Sequence, residues 1–453
     1  MNRTPVIAIF DVGKTNKKLF LFDEHYRIVF EKTLQFIEIV DEDGDACENL
    51  EALTVWGRDS IKELIELGEF DIKALNFSAY GASFVHIDAE GKPVAPLYNY
   101  LKPFPEALKQ KFYNDYGGEL AVSLITASPV LGNLNSGMQL YWLKNEKPEI
   151  FKKINYSLHL PQYLSYLITG EPYSDITSIG CHTNLWNFPQ NNYHEWVFRE
   201  GIVDKLAPIY SSAGVLEARA FWKDFKVGIG LHDSSSALIP YLACFSEPFV
   251  LISTGTWCIT LNPFNKHPLT EEELKQDCLC YMSYKGQAVK ASRLFAGNEH
   301  EIETKRLAKH FKVPQDNYKS VEYDENIIAS LTGNRPVAPE VKFRNRNLKE
   351  YKSYAVAYHR LILDIMWQQL ASTKLTLQDD NVSRIFVDGG FSKNSIYMHL
   401  LAEALPQLEV YAASVAQATA VGAALAIHKH WNSKPLPGDI IDLKFYAKPS
   451  IAQ

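Results

Sequence analysis

Three apolar runs along the chain each stop abruptly at glycine and small polar residues. They are Val6 to Phe10, Phe249 to Ile252 and Ile385 to Val387, and the sequences DVGKTN, STGT and DGG follow them. A short apolar or β-branched run that ends in this way predicts a strand followed by a tight turn. Glycine lets a backbone approach its ligand closely, and the N–H groups of such turns bind phosphate. The pattern therefore predicts three phosphate-binding turns on one chain, which favours ATP as the ligand.

Other segments predict helices and a further strand. Residues 355–370 and the stretch from Ser395 to Leu405 have helical periodicity, and the second of these begins just behind the third turn. The run KVGIGL, residues 226–231, predicts a strand, and a helical stretch from Ser234 to Leu242 follows it. Asp233 lies at the junction, so its carboxylate is expected to project from a fixed strand-to-helix corner.

Two regions give weaker patterns. Residues 77–103 contain a hairpin-like turn, DAEGKP, after which Tyr98 and Tyr100 alternate like one face of a strand. The tail after His430 carries Pro435 and Pro437, which predicts an irregular closing arm.

The first turn offers the most polar chemistry. Asp11 ends the strand, and Gly13, Thr15 and Asn16 supply N–H groups and short side chains suited to a phosphate and its metal. The second turn, with Thr254, Gly255 and Thr256, is uncharged and could wrap a phosphoryl group. The third turn supplies Gly389 and Gly390 in front of a helix N-terminus, where a nucleotide could lie.

The first turn also imitates the end of a P-loop through Gly13, Lys14 and Thr15. That motif needs another glycine five positions before its last one, and Ala8 stands there in the middle of the strand. This excludes a P-loop NTPase.

The order and spacing of these segments resemble the FGGY family of carbohydrate kinases over nearly the whole chain. The resemblance rests on IFDVGKTNKK, GLHDSSSA, ISTGTW, DGGFSKN and a further stretch at residues 138–171. It implies an α/β, two-domain actin-like ATPase (ribonuclease H-like) fold with a central cleft, and ATP and Mg²⁺ as cofactors. The STGTW turn and the His-Asp pair look most like kinases of deoxy-ketohexoses, such as L-fuculose and L-rhamnulose kinases.

The resemblance also assigns roles to individual residues. It makes Asp233 the general base and Asp11 the residue that orients hydrated Mg²⁺, although a helix cap and a turn former are their alternative roles. It places Lys18 among the phosphate contacts, with a solvated lysine as the alternative. It places Asn394 near the adenine, and a helix cap is again the alternative. The expected nucleotide-binding residues are Gly13, Thr15, Asn16, Lys18, Thr254, Gly255, Thr256, Gly389, Gly390 and Asn394. Lys14 and Lys17 are interpreted as solvated lysines.

Substrate recognition is less well defined by the sequence. The candidates for sugar contacts are Ser83, Tyr100, Asp175, His232 and Trp257. Core packing is the commoner role for tyrosines that alternate along a strand, and a structural imidazole is an equal alternative for His232. Ala82 and Ser83 stand where kinases of deoxy-ketohexoses often carry an aspartate, and Gln417 replaces a usual glutamate.

Composition agrees with a two-domain enzyme. The 453 residues exceed what one core comfortably supports, and 46% are hydrophobic. We expect a sugar-binding domain at residues 1–243 and a nucleotide-binding domain at 244–453. A net charge of −7 without a basic tract argues against nucleic acid and anionic membranes as partners. No apolar run approaches the ~20 residues of a membrane span, so a cytoplasmic protein is expected, with a small-molecule sugar as its partner.

Six cysteines show no zinc-ribbon spacing, and reduced thiols are expected. The sequence leaves the assembly open, with a homodimer as one option.

The function predicted from the sequence is an ATP-dependent kinase that transfers the γ-phosphate to a hydroxyl of a ketose, either a deoxy-ketohexose or a pentulose. Two alternatives remain at this level. One is a non-catalytic sugar sensor on the same fold, and the other is an ATPase like actin or Hsp70.

Overall fold

The computed structural model describes residues 3–219, 222, 224–333, 342–377 and 382–446. Within these ranges the chain forms two seven-stranded sheets with helices around and between them. No helix in the described ranges is both long enough and apolar enough to span a membrane.

The strands are β1 (Thr4–Val12), β2 (Lys17–Asp23), β3 (Ile28–Leu34), β4 (Ile39–Val40), β5 (Ala46–Cys47), β6 (Phe70–Ala79), β7 (Phe84–Ile87), β8 (Tyr156–His159), β9 (Ser174–Asp175), β10 (Trp186–Asn187), β11 (Asn192–Tyr193), β12 (Ile209–Tyr210), β13 (Val215–Glu217), β14 (Lys226–Gly228), β15 (Leu231–His232), β16 (Phe249–Thr254), β17 (Cys258–Asn262), β18 (Cys278–Met282), β19 (Ala288–Leu294), β20 (Arg384–Gly389), β21 (Glu409–Ser414) and β22 (Asp442–Tyr446). The α-helices are α1 (Leu50–Leu67), α2 (Glu106–Asp115), α3 (Glu119–Thr126), α4 (Ser136–Glu146), α5 (Pro148–Lys153), α6 (Leu160–Thr169), α7 (Ile176–Ile179), α8 (Glu195–Arg199), α9 (Asp233–Cys244), α10 (Glu271–Lys275), α11 (Ala296–Phe311), α12 (Glu325–Thr332), α13 (Tyr354–Leu377), α14 (Ser395–Ala404), α15 (Ala418–Ala426) and α16 (His428–Trp431).

The two sheets repeat one arrangement. In the first, β1, β2 and β3 form an antiparallel meander, and β6 and then β14 extend the sheet in parallel from β1. In the second, β16, β17 and β19 form the meander, and β20 and β21 extend it in parallel from β16. The central strands β1 and β16 are buried along almost their whole length because both faces of each sheet are covered. The repeated arrangement agrees with the two-domain actin-like ATPase fold that the resemblance implies.

Two helices, α9 and α15, cross between the sheets. Each of them packs against the sheet formed by the other half of the chain. From the first half, α9 places Tyr241 5.6 Å from the ring of Phe386 in β20. From the second half, α15 packs on β1 and β6, where the Asn76 side-chain amide donates to the carbonyl of Ala423 at 2.8 Å. The helices touch where Gly422 meets Ser236, so closely that a Cβ on Gly422 would lie 1.9 Å from the Ser236 carbonyl oxygen. The crossing makes one buried apolar cluster from parts of both sheets.

Most elements agree with their prediction from the sequence. The three turns follow β1, β16 and β20, and the predicted helices are α9, α13 and α14. The predicted strand at residues 226–231 is instead two short strands, β14 and β15. They are separated at Gly230, which has φ +88° and would place a Cβ 2.5 Å from the Pro161 carbonyl oxygen.

Two predictions were wrong. Tyr98 and Tyr100 lie in irregular chain, because β7 pairs with the distant β8 and leaves the segment after the DAEGKP turn without a ladder. The tail is not wholly irregular, because β22 pairs antiparallel with β21 and closes the second sheet.

The helix crossing yields a prediction about stability. Replacing Gly422 with alanine inserts a methyl group into backbone that cannot move easily, and such overpacking costs roughly 1–3 kcal/mol. The matched control is Gly57→Ala within α1, where a Cβ meets nothing within 4 Å. The control should be neutral or stabilise by about 0.5–1 kcal/mol through helix propensity. Urea unfolding measures both variants, and equal free energies of unfolding would contradict the tight crossing.

Candidate active site

Three segments of the first sheet reach the same edge. Val12 at the end of β1 is in register with Ala79 at the end of β6, and Ala79 is in register with His232 at the end of β15. The chain that follows each strand therefore brings Gly13, Tyr80 and Asp233 to one side of the sheet.

Asp233 is the first residue of α9, with His232 at the N-cap position. Its Oδ1 accepts hydrogen bonds from the Ser234 N–H at 2.6 Å and the Ser234 hydroxyl at 3.2 Å. The His232 Nε2 atom is also 3.2 Å from Oδ1. No hydrogen bond from the described residues reaches Oδ2. The carboxylate is thus fixed by one oxygen and open at the other, and it makes none of the bonds to the second or third helical N–H that define a cap.

The environment of Asp233 suits a weak base. The Asp233 side chain keeps 35% of its surface accessible, and the rest of it is buried among protein atoms. This burial raises the pKa of Asp233 to about 6, against the opposing hydrogen bonds from Ser234. At neutral pH the carboxylate is ionised, yet it holds a proton more readily than an ordinary aspartate.

Asp11 ends β1 as a second, nearby carboxylate. Burial raises its pKa to about 6, the hydrogen bond from Thr419 lowers it, the charge of Asp233 raises it and Lys18 lowers it. The Thr419 hydroxyl donates to Asp11 Oδ2 at 2.8 Å, and Lys18 Nζ donates to Gln417 Oε1 at 3.3 Å. Two carboxylates that repel each other at a cleft would be stabilised by a bound cation.

The carboxylate of Asp11 is the kind of oxygen ligand that Mg²⁺ takes. No group of three or more histidine, cysteine, aspartate or glutamate side chains that could hold a metal occurs in the described part of the chain. Mg²⁺ commonly takes only one or two protein carboxylates and completes its octahedron with water and phosphate oxygens. Asp11 could be such a ligand.

The second and third turns are tied to each other. Thr254 and Gly389 are in register, and the Thr254 hydroxyl donates to the Asp388 carbonyl at 2.5 Å and accepts from the Phe391 N–H at 2.9 Å. The Gly390 N–H donates to the Thr254 carbonyl at 2.9 Å. Gly389 has φ +87°, and a Cβ there would lie 2.0 Å from that carbonyl oxygen. Only glycine fits at this contact.

A pocket of about 570 Å³ lies beside these two turns, and Thr254, Gly255, Gly390 and Asn394 line it. One part of its wall is aromatic, because the ring of His300 lies 5.0 Å from that of Tyr318 and 5.2 Å from that of Phe391. Lys319, Glu322 and Lys393 also line the pocket. Burial lowers the pKa of His300 to about 4, so this ring is neutral. A mostly apolar, aromatic pocket of this size fits a flat purine base.

Asn394 caps a helix and also lines the pocket. Its Oδ1 accepts from the Tyr397 N–H at 3.0 Å and so caps α14, and its Nδ2 donates to the Tyr358 hydroxyl at 2.7 Å. The same residue lines the pocket.

The remaining nucleotide candidates lie on exposed turns. The side chains of Thr15, Asn16 and Thr256 are exposed, and Gly13 is partly exposed. The Gly13 N–H donates to the Asn16 carbonyl at 2.9 Å and shapes the first turn.

The sugar candidates divide into two groups. Tyr100 is half-buried near Asp233. Burial is the main cause that raises the pKa of Tyr100, and the charge of Asp233 raises it further. The Tyr100 ring lies edge-on to the ring of Tyr80 at 6.2 Å. Trp257 is 42% exposed and packs on Phe295 at 4.4 Å. Both could offer a face to a sugar. Ser83 is only 2% exposed.

Asp175 and His232 lie beneath the surface of the cleft. Asp175 is 0% exposed, and its oxygens accept hydrogen bonds from Thr177 and Ser212. Burial raises its pKa to about 6. The His232 ring is buried 3.2 Å from Cys181 Sγ, and burial lowers its pKa to about 4, so it is neutral. The structure therefore does not bring Asp175 together with the exposed candidates, and the sugar contact predicted for it has no support from its position.

Several residues near the site were missed by the sequence analysis. Thr419 contacts Asp11, and Cys181 contacts His232. Arg293 lies 5.6 Å from the centre of the Trp257 ring and forms an ion pair with Asp277. None of these residues directly follows a strand, which was the signal used for the turns, and Arg293 lies within β19. The interpretation of Lys17 as solvated was wrong, because it is 1% exposed and pairs with buried Glu48 at 2.9 Å.

Two family models match most of the chain. The model of the FGGY family of carbohydrate kinases, N-terminal domain, matches residues 6–235, and the model of carbohydrate kinase FGGY, C-terminal domain, matches residues 246–435. The chain belongs to the FGGY family of carbohydrate kinases, which confirms the resemblance noted in the sequence.

Curated relatives share about a quarter of their residues with this chain over the matched region. A rhamnulokinase from Halalkalibacterium halodurans is 24% identical over 263 residues, which are 55% of this chain and 52% of the relative. An L-fuculokinase from Escherichia coli is 23% identical over 273 residues, which are 56% of each chain. The chain thus spans about half the length of these curated relatives.

Solved structures share the fold. A carbohydrate kinase from Novosphingobium aromaticivorans has a TM-score of 0.81 at 21% identity, with 99% of this chain and 95% of that chain covered. Plasmodium falciparum glycerol kinase with ADP has a TM-score of 0.76 at 18% identity, with 95% of this chain and 90% of that chain covered. The predicted actin-like ATPase fold is confirmed.

The contact between the second and third turns gives a testable prediction. Gly389→Ala combines a left-handed φ, which costs roughly 1–2 kcal/mol for a residue with a Cβ, with a collision against Thr254. Gly286→Ala is the control, because Gly286 has φ +70° and open space around it. We expect Gly389→Ala to unfold at a lower temperature than the control. It should also weaken ATP binding about tenfold, the equivalent of about 1.4 kcal/mol. Calorimetry would contradict the prediction if both variants behaved alike.

Proposed function

We propose that the protein is an ATP-dependent carbohydrate kinase that transfers the γ-phosphate of ATP to a hydroxyl of a ketose. The observation that carries the proposal is the pair Asp233 and Asp11. One carboxylate has an open oxygen and a raised pKa, and the other lies close enough to feel its charge. Both are at the edge of the first sheet, and the aromatic pocket lies beside the corresponding turns of the second.

In the proposed reaction, Asp233 Oδ2 accepts a hydrogen bond from the acceptor hydroxyl. As the hydroxyl oxygen bonds to the γ-phosphorus, its proton passes to Oδ2, and the bond between that phosphorus and the β–γ bridging oxygen breaks to release ADP. A pKa near 6 suits a group that must be ionised before the step and protonated after it. The Ser234 hydrogen bonds hold Oδ1 and so direct Oδ2 to the acceptor.

The nucleotide is proposed to lie with its base in the aromatic pocket beside Asn394 and its phosphates toward Gly13, Thr15 and Asn16. Lys18 contributes positive charge next to Asp11. When bound to Asp11 and the phosphates, Mg²⁺ supplies further charge to stabilise the transferring group.

The substrate class is proposed to be a deoxy-ketohexose or a pentulose. The STGTW turn supports it, and so do relatives that are named rhamnulokinase and L-fuculokinase. Tyr100 lies near Asp233, and Trp257 is 42% exposed, so both rings can present an apolar face on which the carbon–hydrogen face of a sugar stacks.

We propose residues 1–243 and 244–453 as the sugar-binding and nucleotide-binding domains. Each contains one of the repeated sheets, while α9 and α15 cross between them. Closure of the cleft would exclude water and favour transfer over hydrolysis. A cytoplasmic location is proposed because the reaction consumes ATP.

ADP release measured with and without sugars tests the function. We expect turnover to depend on one of L-fuculose, L-rhamnulose or D-xylulose, or on a related ketose or polyol. Asp233→Asn should lower turnover about a hundredfold to ten-thousandfold and keep ATP and sugar binding, since general base catalysis contributes that much. Asp59→Asn, an exposed carboxylate on α1, is the control and should match the unaltered protein.

The same assay separates the alternatives. A sugar sensor would bind a sugar without releasing ADP, and an ATPase like actin or Hsp70 would release ADP whether or not a sugar is present. Normal turnover in Asp233→Asn would remove this residue from the base role.

The raised pKa predicts the pH dependence. The base works only when ionised, so kcat/KM should be level above a pH of about 6 and fall about tenfold per pH unit below it. Burial raises the folded pKa above its ordinary value, so the loss begins at higher pH than for an exposed aspartate. Initial rates from pH 4.5 to 8.5 at saturating Mg-ATP check this, and the fall should be absent from the residual rate of Asp233→Asn. An inflection near pH 4 would contradict the effect of burial.

A further inference from the structure

A chain of hydrogen bonds runs from a fully buried carboxylate to the backbone that carries Asp233. Asp175 Oδ1 accepts from the Thr177 N–H at 2.9 Å and, more closely, from the Thr177 hydroxyl. The oxygen of that hydroxyl accepts from the backbone N–H of His232 at 3.0 Å. His232 directly precedes Asp233. A buried acid outside the cleft is thereby linked to the proposed base through one threonine.

The direction of these bonds is fixed. An ionised carboxylate can only accept, so the Thr177 hydroxyl must give its single proton to Asp175. Its lone pairs are then available to the His232 N–H, which can only donate. A threonine hydroxyl without such a partner could rotate and leave this buried N–H unsatisfied.

The packing of the His232 ring connects the hydrogen bond at the His232 N–H to the position of Asp233. The His232 ring lies parallel to Tyr281 at 5.9 Å, with Cys181 Sγ 3.2 Å from Nε2. A Cβ on Gly81 would lie 2.9 Å from the ring. These contacts pack the ring closely, and the backbone at His232 carries it to within 3.2 Å of Asp233 Oδ1.

We propose that Asp175 and Thr177 are positioning residues for Asp233: they hold the His232 peptide so that Oδ2 of the base faces the acceptor hydroxyl. This inference rests on the proposed function. It gives Asp175 a role different from the sugar contact predicted from the sequence.

Burial of the Asp175 charge supports a role beyond capping. Asp175 is the N-cap of α7, a helix of only four residues. A neutral serine, threonine or asparagine caps as well and avoids the cost of burying a charge. A carboxylate adds stronger hydrogen bonds and a fixed direction, since bonds to ionised groups are about twice as strong as neutral ones. Ser212 donates to Oδ2 and keeps the carboxylate in one orientation.

The test compares three threonine variants. Thr177→Val removes the hydroxyl and keeps the shape, and Thr177→Ser keeps the hydroxyl. Thr126→Val is the matched control, because Thr126 is also buried and its hydroxyl makes two hydrogen bonds, to the Val122 carbonyl and to Asn184, neither of which leads to the base. Unfolding curves will show whether the two valine variants lose comparable stability.

We expect Thr177→Val to lower kcat about 10- to 100-fold, since a misplacement of about 1 Å can cost about a hundredfold. The KM values for sugar and ATP should change less than about threefold, because neither residue touches a substrate. Thr177→Ser should stay within about threefold of the original kcat, as should Thr126→Val. A kcat in folded Thr177→Val equal to that of Thr126→Val would overturn the proposal, as would a loss in Thr177→Ser as large as in Thr177→Val.

If Thr177→Val does not fold, Asp175→Asn decides. It keeps the side-chain shape and loses the charge, and we expect kcat to fall about fivefold because the bond to Thr177 weakens. An unchanged kcat would overturn the proposal.

Asp233→Asn measured in parallel separates this inference from the proposed function. If Asp233→Asn loses turnover and Thr177→Val does not, only the positioning role fails. If Asp233→Asn keeps turnover, the base assignment fails, and the positioning role fails with it. Crystal structures give a readout independent of any substrate. The Asp233 carboxylate should be displaced in Thr177→Val, and an unmoved carboxylate would contradict the inference.

Discussion

The crossing of α9 and α15 is the constraint on which the site depends. Gly422 lets the two helices approach until its Cα faces the carbonyl of Ser236, and the Ser236 hydroxyl donates to the Thr419 carbonyl at 2.7 Å. The Thr419 side chain in turn donates to Asp11. Because Asp233 begins α9, this single contact relates the two carboxylates and the two sheets to one another. A looser crossing would separate the proposed base from the proposed metal ligand.

Buried carboxylates are the second theme of the structure. Asp11, Asp175 and Asp233 all have pKa values raised to about 6, and burial is the largest cause in each case. Taking a carboxylate out of water is unfavourable unless hydrogen bonds or a cation compensate. Asp175 is compensated by hydroxyl and N–H donors, whereas Asp11 and Asp233 lie at the cleft with fewer. That difference separates a structural carboxylate from two that are available for ligands and protons.

Much of the fold was predictable from local patterns. The turns after β1, β16 and β20 were visible because an apolar run that stops at glycine is a signal within a few residues. The helices α9, α13 and α14 were visible through their periodicity. The pairing of β7 with β8 was not, since about 70 residues separate the partners, and β22 was hidden by the prolines before it.

The candidate site was predictable only for residues at or just after the ends of strands. Asp11, Asp233 and the glycines of the turns fall in this class. Asp175 was a candidate for a sugar contact, and nothing in the sequence around it indicates that its side chain is 0% exposed. Thr419 contacts Asp11 and Thr177 contacts His232, and in both pairs the partners are far apart in the sequence. A threonine in a helix gives no sign of such a contact. Lys17 was interpreted as solvated because its partner Glu48 lies 31 positions away.

The most direct test of the account is a crystal structure with Mg²⁺, a non-hydrolysable ATP analogue and the sugar that stimulates ADP release. The account predicts the base of the analogue beside Asn394 and His300, and its terminal phosphate between the turns at Gly13 and Gly255. The acceptor hydroxyl should lie about 2.6–3.2 Å from Asp233 Oδ2 and in line with the γ-phosphorus. A terminal phosphate on another face of the protein, or a sugar whose hydroxyls all lie out of reach of Asp233, would contradict it.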